Sequence, residues 1–343
     1  MKSPRLDRRQ LMAATAALSG SALFGGPAYA KGPVTAAIYP GSWDEQYRSI
    51  VLPALKKAYD VDLALEPLFA VDQIAKAVAA RGVAPFDSFV LDPGPRVTAI
   101  ERGLLEPFDG KKLTNASKLA SAGVDGWGAA VNSQIVGIAY NPKKLPKPKS
   151  WKDLFQEPFA SRLGLTGFQT TFGTVSLIEM AKAFGGSEAN IEPIFAEIIK
   201  ILPKIAAVTA PAALPGMFQQ GQIDITYTNT NNVSTLKSRG VDIEFVMPAE
   251  GAITFVTTLH IAKGAENKDN AYKYIDTVIS AAVQEALMKS PAGLLPTNKD
   301  VALAGDQPIK SLDELSNFVT HDWTKINPQR AAWIERFNKE VTK

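Results

Sequence analysis

Short apolar runs alternate with longer stretches of helical period along most of this chain, a pattern that predicts an α/β fold with helices packed on mostly parallel sheets. A hydrophobic content of 46 % supports well-formed cores rather than disorder. About 313 residues follow the motif Ala28-Tyr29-Ala30, more than a single core usually holds, so two lobes are expected.

The first thirty residues read as an address rather than a domain element. The apolar part, from Leu11 to about Pro27, is diluted by Ser19, Gly20, Ser21, Gly25 and Gly26 and is too short and too weakly apolar to span a bilayer. Basic residues with paired Arg8 and Arg9 precede it, and small residues suited to a signal peptidase follow it. The arginine pair followed by Gln10, Leu11 and Met12 is similar to the twin-arginine export signal of bacteria, which carries folded cargo. Cleavage is expected near Ala30, releasing the product into the periplasm. The alternative is an amphipathic N-terminus that stays in place.

After Ala30, "VTAAIYP" reads as a strand ending at Pro40-Gly41, and "SWDEQYRSIVLPALKKAY" as a helix with Ser42 as N-cap and Asp44 and Glu45 complementing its dipole. "VDLALEPLF" is a second strand, "AVDQIAKAVAARG" a helix ending at Gly82, and "FDSFVLD" a third strand ending on Asp92 before Pro93-Gly94-Pro95. The helix "RVTAIERG" stops at Gly103. "VNSQIVGIAYNP" is a long apolar strand that holds the first lobe boundary, and the Pro- and Lys-rich "KKLPKPKS" after it reads as an exposed linker. The second lobe opens with the helix "SWKDLFQ" and the strand "RLGLTG". The Thr-rich turn of "FQTTFGTVSLIEMAKAFGG" then runs into a helix. Further on, "IEPIFAEIIKILPKI" and "ALPGMFQQG" are helices, and "IAAVTA", "IDITYTN" and "VDIEFVMP" are strands. "AITFVTTLHIA" is long enough to cross back between lobes, and "KDNAYKYIDTVISAAVQEALMKS" and "AAWIERFNKEVTK" close the chain as helices.

Composition removes several function classes. Without the leader, 33 basic residues face 33 acidic ones, so the nominal surplus of 37 Lys+Arg over 34 Asp+Glu carries no argument for nucleic acid. The absence of cysteine excludes disulfides, thiolate metal sites, cysteine nucleophiles and a lipidated cysteine tether. With His260 and His321 as the only histidines, a multi-histidine metal site is unavailable and no cofactor is called for.

Several stretches together resemble the periplasmic solute-binding proteins of ABC importers (family 1), in the branch that includes the spermidine/putrescine- and ferric-ion-binding receptors. They are Ser42-Trp43 after the first strand, "FDSFVLDPG" with "ERGLLEPFD", "VGIAYNPKKL" with "SWKDLFQEPFASRLGL", and "FVMPAEGAITFVTTLHIAKGAENKDNAYKYID". The resemblance implies an α/β, two-lobed periplasmic binding protein of type II, each lobe a mixed sheet flanked by helices, with two crossing hinge strands. The lobes are expected at 31–135 plus 256–300 and at 136–255 plus 301–343. It also implies a monomer that works with an inner-membrane ABC permease and ATPase, without catalysis, nucleic acid or cofactor.

Ligands in open α/β sheets sit beyond the carboxyl ends of the strands, which directs attention to Ser42, Trp43, Asp92, Thr166 to Thr171, Thr209 and Tyr227 to Asn229. A polyamine site needs carboxylates and aromatic faces. Trp43, Tyr227 and Phe255 supply the aromatics, unless Trp43 and Tyr227 simply pack in a core, but Thr257 and Gln169 stand where the resemblance implies acidic groups. Ferric receptors use adjacent tyrosines, and this chain has no Tyr-Tyr pair. The turn of "TGFQTTFGTVSLIEM" instead offers Thr166, Thr170, Thr171 and Thr174 at a helix start to a carboxylate, phosphonate or phosphate, the alternative being that one threonine caps the helix and the rest are surface. Asp92 adds a partner for an amine, unless it is only a turn residue. Together with Asn229 these residues point to a small amine-bearing solute that is carboxylated or phosphonated. A polyamine or ferric receptor is the alternative within the fold. A sensor for a membrane kinase is the alternative use of it, and a periplasmic hydrolase would need His260 or His321 beside a nucleophile that no motif supplies.

Overall fold

The computed structural model describes residues 32–120, 123–304 and 307–342; the export signal read at 1–30 lies outside them. Strand β1 (Val34–Ile38) leads into α1 (Ser42–Gln46), a π-helical turn (Tyr47–Val51) and α2 (Leu52–Tyr59), so the one helix read from 42 to 59 carries a wider turn in its middle. Gly41, at φ 81°, takes the N-cap position assigned above to Ser42, because the chain leaves β1 through a left-handed conformation that glycine adopts freely. Next come β2 (Leu63–Pro67), α3 (Ala70–Ala79), β3 (Ser88–Leu91) and α4 (Pro93–Glu101). The start of α4 is earlier than the Pro-Gly-Pro sequence implied. Proline at the first helical position gives up only an N–H that the helix would leave unbonded.

After β4 (Ala129–Tyr140), the expected helix at 150–156 is a 3-10 turn, Trp151–Phe155, fixed by a reciprocal capping box between Ser150 and Asp153. The second half continues through β5 (Gly164–Leu165), α5 (Thr171–Ala183), α6 (Glu192–Ile201), β6 (Ala207–Val208), α7 (Leu214–Gln219), β7 (Ile225–Asn229), α8 (Thr230–Ser238) and β8 (Glu244–Val246). β9 (Ile253–Ile261) returns the chain to the first half, where α9 (Lys268–Val278) and α10 (Ala281–Lys289) replace the single helix expected, parted where Ser280 turns extended. The last helix, α11 (Trp323–Glu340), is longer than the sequence signalled and holds Pro328 within it.

Seven strands form one sheet in the order β2-β1-β3-β9-β4-β7, with β8 also on β4. β1 pairs in parallel with β2 and β3, and the remaining pairings are antiparallel. β4 is buried along its whole length and pairs with β9 from Ala129 to Val136, then with β7 and β8 towards Tyr140. β4 and β9 therefore run through two separate cores. Val131 and Leu259 join one, with Tyr47, Phe89 and Tyr274; Val136, Ile253 and Phe255 join the other, with Trp151, Phe168 and Trp333. Between them the strands turn polar and stay buried, at Asn132, Ser133 and Gln134 on β4 and Thr257 on β9.

α11 lies against α4, and this packing depends on Gly94. A Cβ there would stand 2.4 Å from Trp323 Cε3, while the Asn327 amide donates to the Gly94 carbonyl at 2.8 Å. Phe168 anchors the C-terminal half of α11, its ring 5.9 Å from Phe195, 5.6 Å from Trp333 and 6.0 Å from Phe337. Phe168→Ala should lower stability by about 3–5 kcal/mol in urea denaturation, since the ring is fully buried and its removal leaves a cavity. An unchanged midpoint would mean that α11 is not held by this ring.

Candidate functional site

The polar belt where β4 and β9 cross is the floor of the candidate site. β3 ends beside it, and Asp92, one residue past β3, continues its pairing register towards Thr257, since Leu91 stands opposite Thr258. On β4, Gln134 faces Phe255 of β9 in the same ladder, and β7 ends on Asn229 opposite Val136. Three strand ends or crossings thus deliver Asp92, Gln134, Thr257 and Asn229 to one place.

Their hydrogen bonds run in a single direction. Asn229 is the N-cap of α8, and its Oδ1 accepts from the Asn232 N–H at 3.0 Å, so its Nδ2 is left to donate to Gln134 Oε1 at 2.6 Å. Gln134 Nε2 then donates to Thr257 Oγ1 at 2.6 Å, and the Thr257 hydroxyl donates to Asp92 Oδ1 at 2.8 Å. Each link fixes the orientation of the next, and all the dipoles point at the Asp92 carboxylate. Tyr39 accepts from the Asp92 backbone N–H at 3.0 Å, and its hydroxyl and that of Thr171 at the start of α5 favour the charged form of the carboxylate. Even so, burial pushes the Asp92 carboxyl above the usual carboxylate range, against the pull of these donors and of the Arg330 charge. The Tyr39 hydroxyl is raised as well, first by burial and then by the Asp92 charge. No cation is in ion-pair contact with Asp92 among the described residues.

The remaining residues named from the sequence are placed as follows. Trp43 is buried in an aromatic row, 5.5 Å from Tyr39 and 5.9 Å from Tyr47, and so lies one ring away from Asp92; Ser42 is partly exposed beside it. Tyr227 is fully buried, its hydroxyl accepting from the Thr166 N–H at 3.0 Å and donating to the Thr166 carbonyl, which ties β7 to the turn before α5. Burial raises this phenol too. Thr166 is itself buried, with no partner for its Oγ1 among the described residues. Thr170 caps α5 by accepting from the Gly173 N–H at 3.2 Å, and Thr174 donates to backbone carbonyls. Gln169 reaches Asn338 on α11, Thr209 bonds the Leu165 carbonyl through its N–H, and Phe255 is buried in the second core. His260 is buried, its ring nitrogens 2.6 Å from Thr258 Oγ1 and 2.8 Å from the Trp127 carbonyl; burial lowers its pKa to about 4.

Four polar residues of this region were not singled out from the sequence. Gln134 and Asn132 interrupt an otherwise apolar strand, and that interruption was the available signal. Asn132 is fully buried with neither carboxamide atom bonded among the described residues. Tyr39 ends the first apolar run and reads as core. Arg330 sits on the last helix among other charged residues and carries no signal of its own. Two depressions of about 300 and 630 Å³ open elsewhere, one beside Tyr59 and Asp276 and one beside Phe108 and Gly126, and share no residue with this network.

Thr257→Val would leave Gln134 Nε2 with only the long 3.5 Å contact to Asp92 Oδ1 and would take away the hydroxyl that donates to Asp92 Oδ1 at 2.8 Å. The expected loss is about 1–3 kcal/mol in denaturation, with the Asp92 carboxyl titrating still higher by NMR. A Thr257→Val protein whose Asp92 titration is unmoved would remove the relay from the description of the site.

The architecture matches proteins that capture solutes. Over 206 residues, 55 % of this chain and 57 % of its relative, the sequence is 24 % identical to the spermidine/putrescine-binding periplasmic protein of Escherichia coli K12. The periplasmic binding protein AfuA of Actinobacillus pleuropneumoniae, solved with fructose-6-phosphate, superposes with a TM-score of 0.73 over 91 % of this chain and 99 % of its own, at 20 % identity. AgtB of A. tumefaciens, solved with agropinic acid, superposes with a TM-score of 0.74 over the same shares, at 17 % identity. These likenesses establish the two-lobed, type II periplasmic binding fold. Residues 52–317 match the family of bacterial extracellular solute-binding proteins, and to that family the chain belongs.

Proposed function

We propose that this protein is the solute receptor of an ABC importer, working in the periplasm after removal of its twin-arginine leader. It holds a small amine-bearing solute, carboxylated or phosphonated, between lobes at 31–135 plus 256–300 and at 136–255 plus 301–343. Closure about β4 and β9 then presents the loaded receptor to an inner-membrane permease and its ATPase. The observation that carries the reading is Asp92, a half-buried carboxylate at the strand crossing that accepts from Thr257 and has no contacting cation among the described residues. An ammonium group supplies the missing charge. The alternative is a polyamine receptor, favoured by the likeness to the spermidine/putrescine-binding protein. Against it stands Thr257, a hydroxyl in the position where that reading needs a second acid.

Thermal-shift screening of the purified protein against amines, amino acids, phosphonates, polyamines and ferric salts tests this directly. A true ligand at about 100 times its dissociation constant adds roughly 2.7 kcal/mol of stability. Shifts only with polyamines or ferric iron would replace the proposal with those readings.

Asp92 also makes the proposal testable by pH. Because its folded pKa lies above the unfolded value, the ionised carboxyl costs the empty protein stability. That cost is relieved as pH falls through the raised pKa towards the unfolded one. Asp92→Asn should therefore raise the melting temperature of the empty protein at neutral pH and abolish binding of the amine. Affinity in the wild type should fall on acidification through the same range, with a proton released on binding at its lower end. Amine binding that survives Asp92→Asn would refute the assignment.

A further inference from the structure

The threonine-rich turn before α5 has little capacity left for an anion. Thr170 caps α5 and Thr174 donates to carbonyls, so these two hydroxyls are engaged, while that of Thr171 acts on Asp92 and favours its charged form. The protein's own Asp92 is the anion that Thr171 serves. Arg330 lies on the other side of the same turn. Its Nε donates to the Phe168 carbonyl at 2.9 Å and its Nη2 to the Gln169 carbonyl at 2.8 Å, while Trp323 lies under the guanidinium at 5.6 Å. These contacts hold the side chain in place without neutralising it. Among the described residues no carboxylate is in ion-pair contact with Arg330, and Nη1 carries no hydrogen bond.

Asp92 and Arg330 are placed by the same packing. Asn327, one turn before Arg330 on α11, bonds the Gly94 carbonyl two residues after Asp92, and Trp323 fills the space against Gly94. The two charges influence each other without touching. Burial lowers the Arg330 guanidinium to about 10 despite the nearby carboxylate, so neither group is fully compensated by the other. Both side chains are only partly buried, which leaves them within reach of a solute.

We infer that Arg330 binds the acidic group of the solute, and that the receptor selects a small zwitterion whose ammonium meets Asp92 while its carboxylate or phosphonate meets Arg330. The inference rests on the receptor reading above. Such a ligand carries no net charge into the cleft and neutralises both protein groups at once. An amine without the acid leaves the half-buried guanidinium uncompensated, and an acid without the amine does the same to Asp92. The planar fork of arginine, already fixed by two carbonyls and a ring, suits a group with paired oxygens better than a lysine would.

The test is calorimetric titration of the purified protein with β-alanine and its longer ω-amino acid homologues, their matching alkylamines, their matching carboxylic acids and the corresponding aminophosphonates. At least one zwitterion should bind about tenfold or more tightly than both of its singly charged counterparts, and this comparison needs no variant. Arg330→Gln should reduce zwitterion affinity at least about tenfold without weakening the lower affinity for the plain amine, which is relieved of an uncompensated guanidinium. Arg330→Lys should recover part of the loss, with its melting curve reporting whether the fold is intact. Equal affinity for amine and zwitterion, unaffected by Arg330→Gln, would overturn the role of Arg330 and leave the amine receptor standing. Acids bound equally well by the wild type and Asp92→Asn would overturn both.

Discussion

The carboxylate of Asp92 can remain at the strand crossing only because a chain of oriented hydrogen bonds ends on it. That chain starts from helix capping: the carbonyl oxygen of the Asn229 side chain is committed to the first turn of α8, so its amide must face Gln134. Gln134 in turn must present its amide to Thr257, and Thr257 its proton to Asp92. The relay passes from β7 through β4 and β9 to the end of β3, joining the strands of both cores through four side chains. In a region of low dielectric each link is stronger than it would be in water, and an unmade link is correspondingly costly.

The site lies where the hydrophobic cores stop. A strand that passes through two cores needs apolar residues at both ends and has no such requirement between them. β4 follows that rule, with Val131 in one core, Val136 in the other and Asn132-Ser133-Gln134 between. β9 mirrors it, with Thr257 between Phe255 and Leu259. The crossing that joins the two halves therefore also supplies a buried polar floor, and a bulge between Ala130 and Asn132 sets which side chains face it. α11 adds the wall, drawn against α4 by the absence of a side chain at Gly94.

This arrangement carries a cost in the empty protein. Burial disfavours the charged form of both Asp92 and Arg330 in the empty protein, and a compensating ligand would remove both penalties. The fold supports very different solutes, as AfuA with fructose-6-phosphate and AgtB with agropinic acid illustrate. The scaffold therefore does not by itself set which solute is bound.

The amino-acid sequence by itself determined the α/β class, the two long crossing strands and the ends of strands where polar residues gather. Periodicity and Gly/Pro punctuation are local properties, and they placed Asp92 and Asn229 at strand ends without reference to anything distant. Local signals also erred locally: Gly41 rather than Ser42 caps α1, α4 starts at Pro93, and a break at Ser280 divides one periodic stretch into two helices. Only the tertiary structure decided which polar residues meet. Thr257 bonds Asp92 across 165 positions, and Arg330 reaches the Phe168 carbonyl across 162. Neither pairing has a signature in spacing, because each is produced by strands and helices arriving from separate parts of the chain. For the same reason the threonines at 166–174 looked alike in sequence and differ in three dimensions: one caps, one serves Asp92, one binds carbonyls and one is buried without a partner.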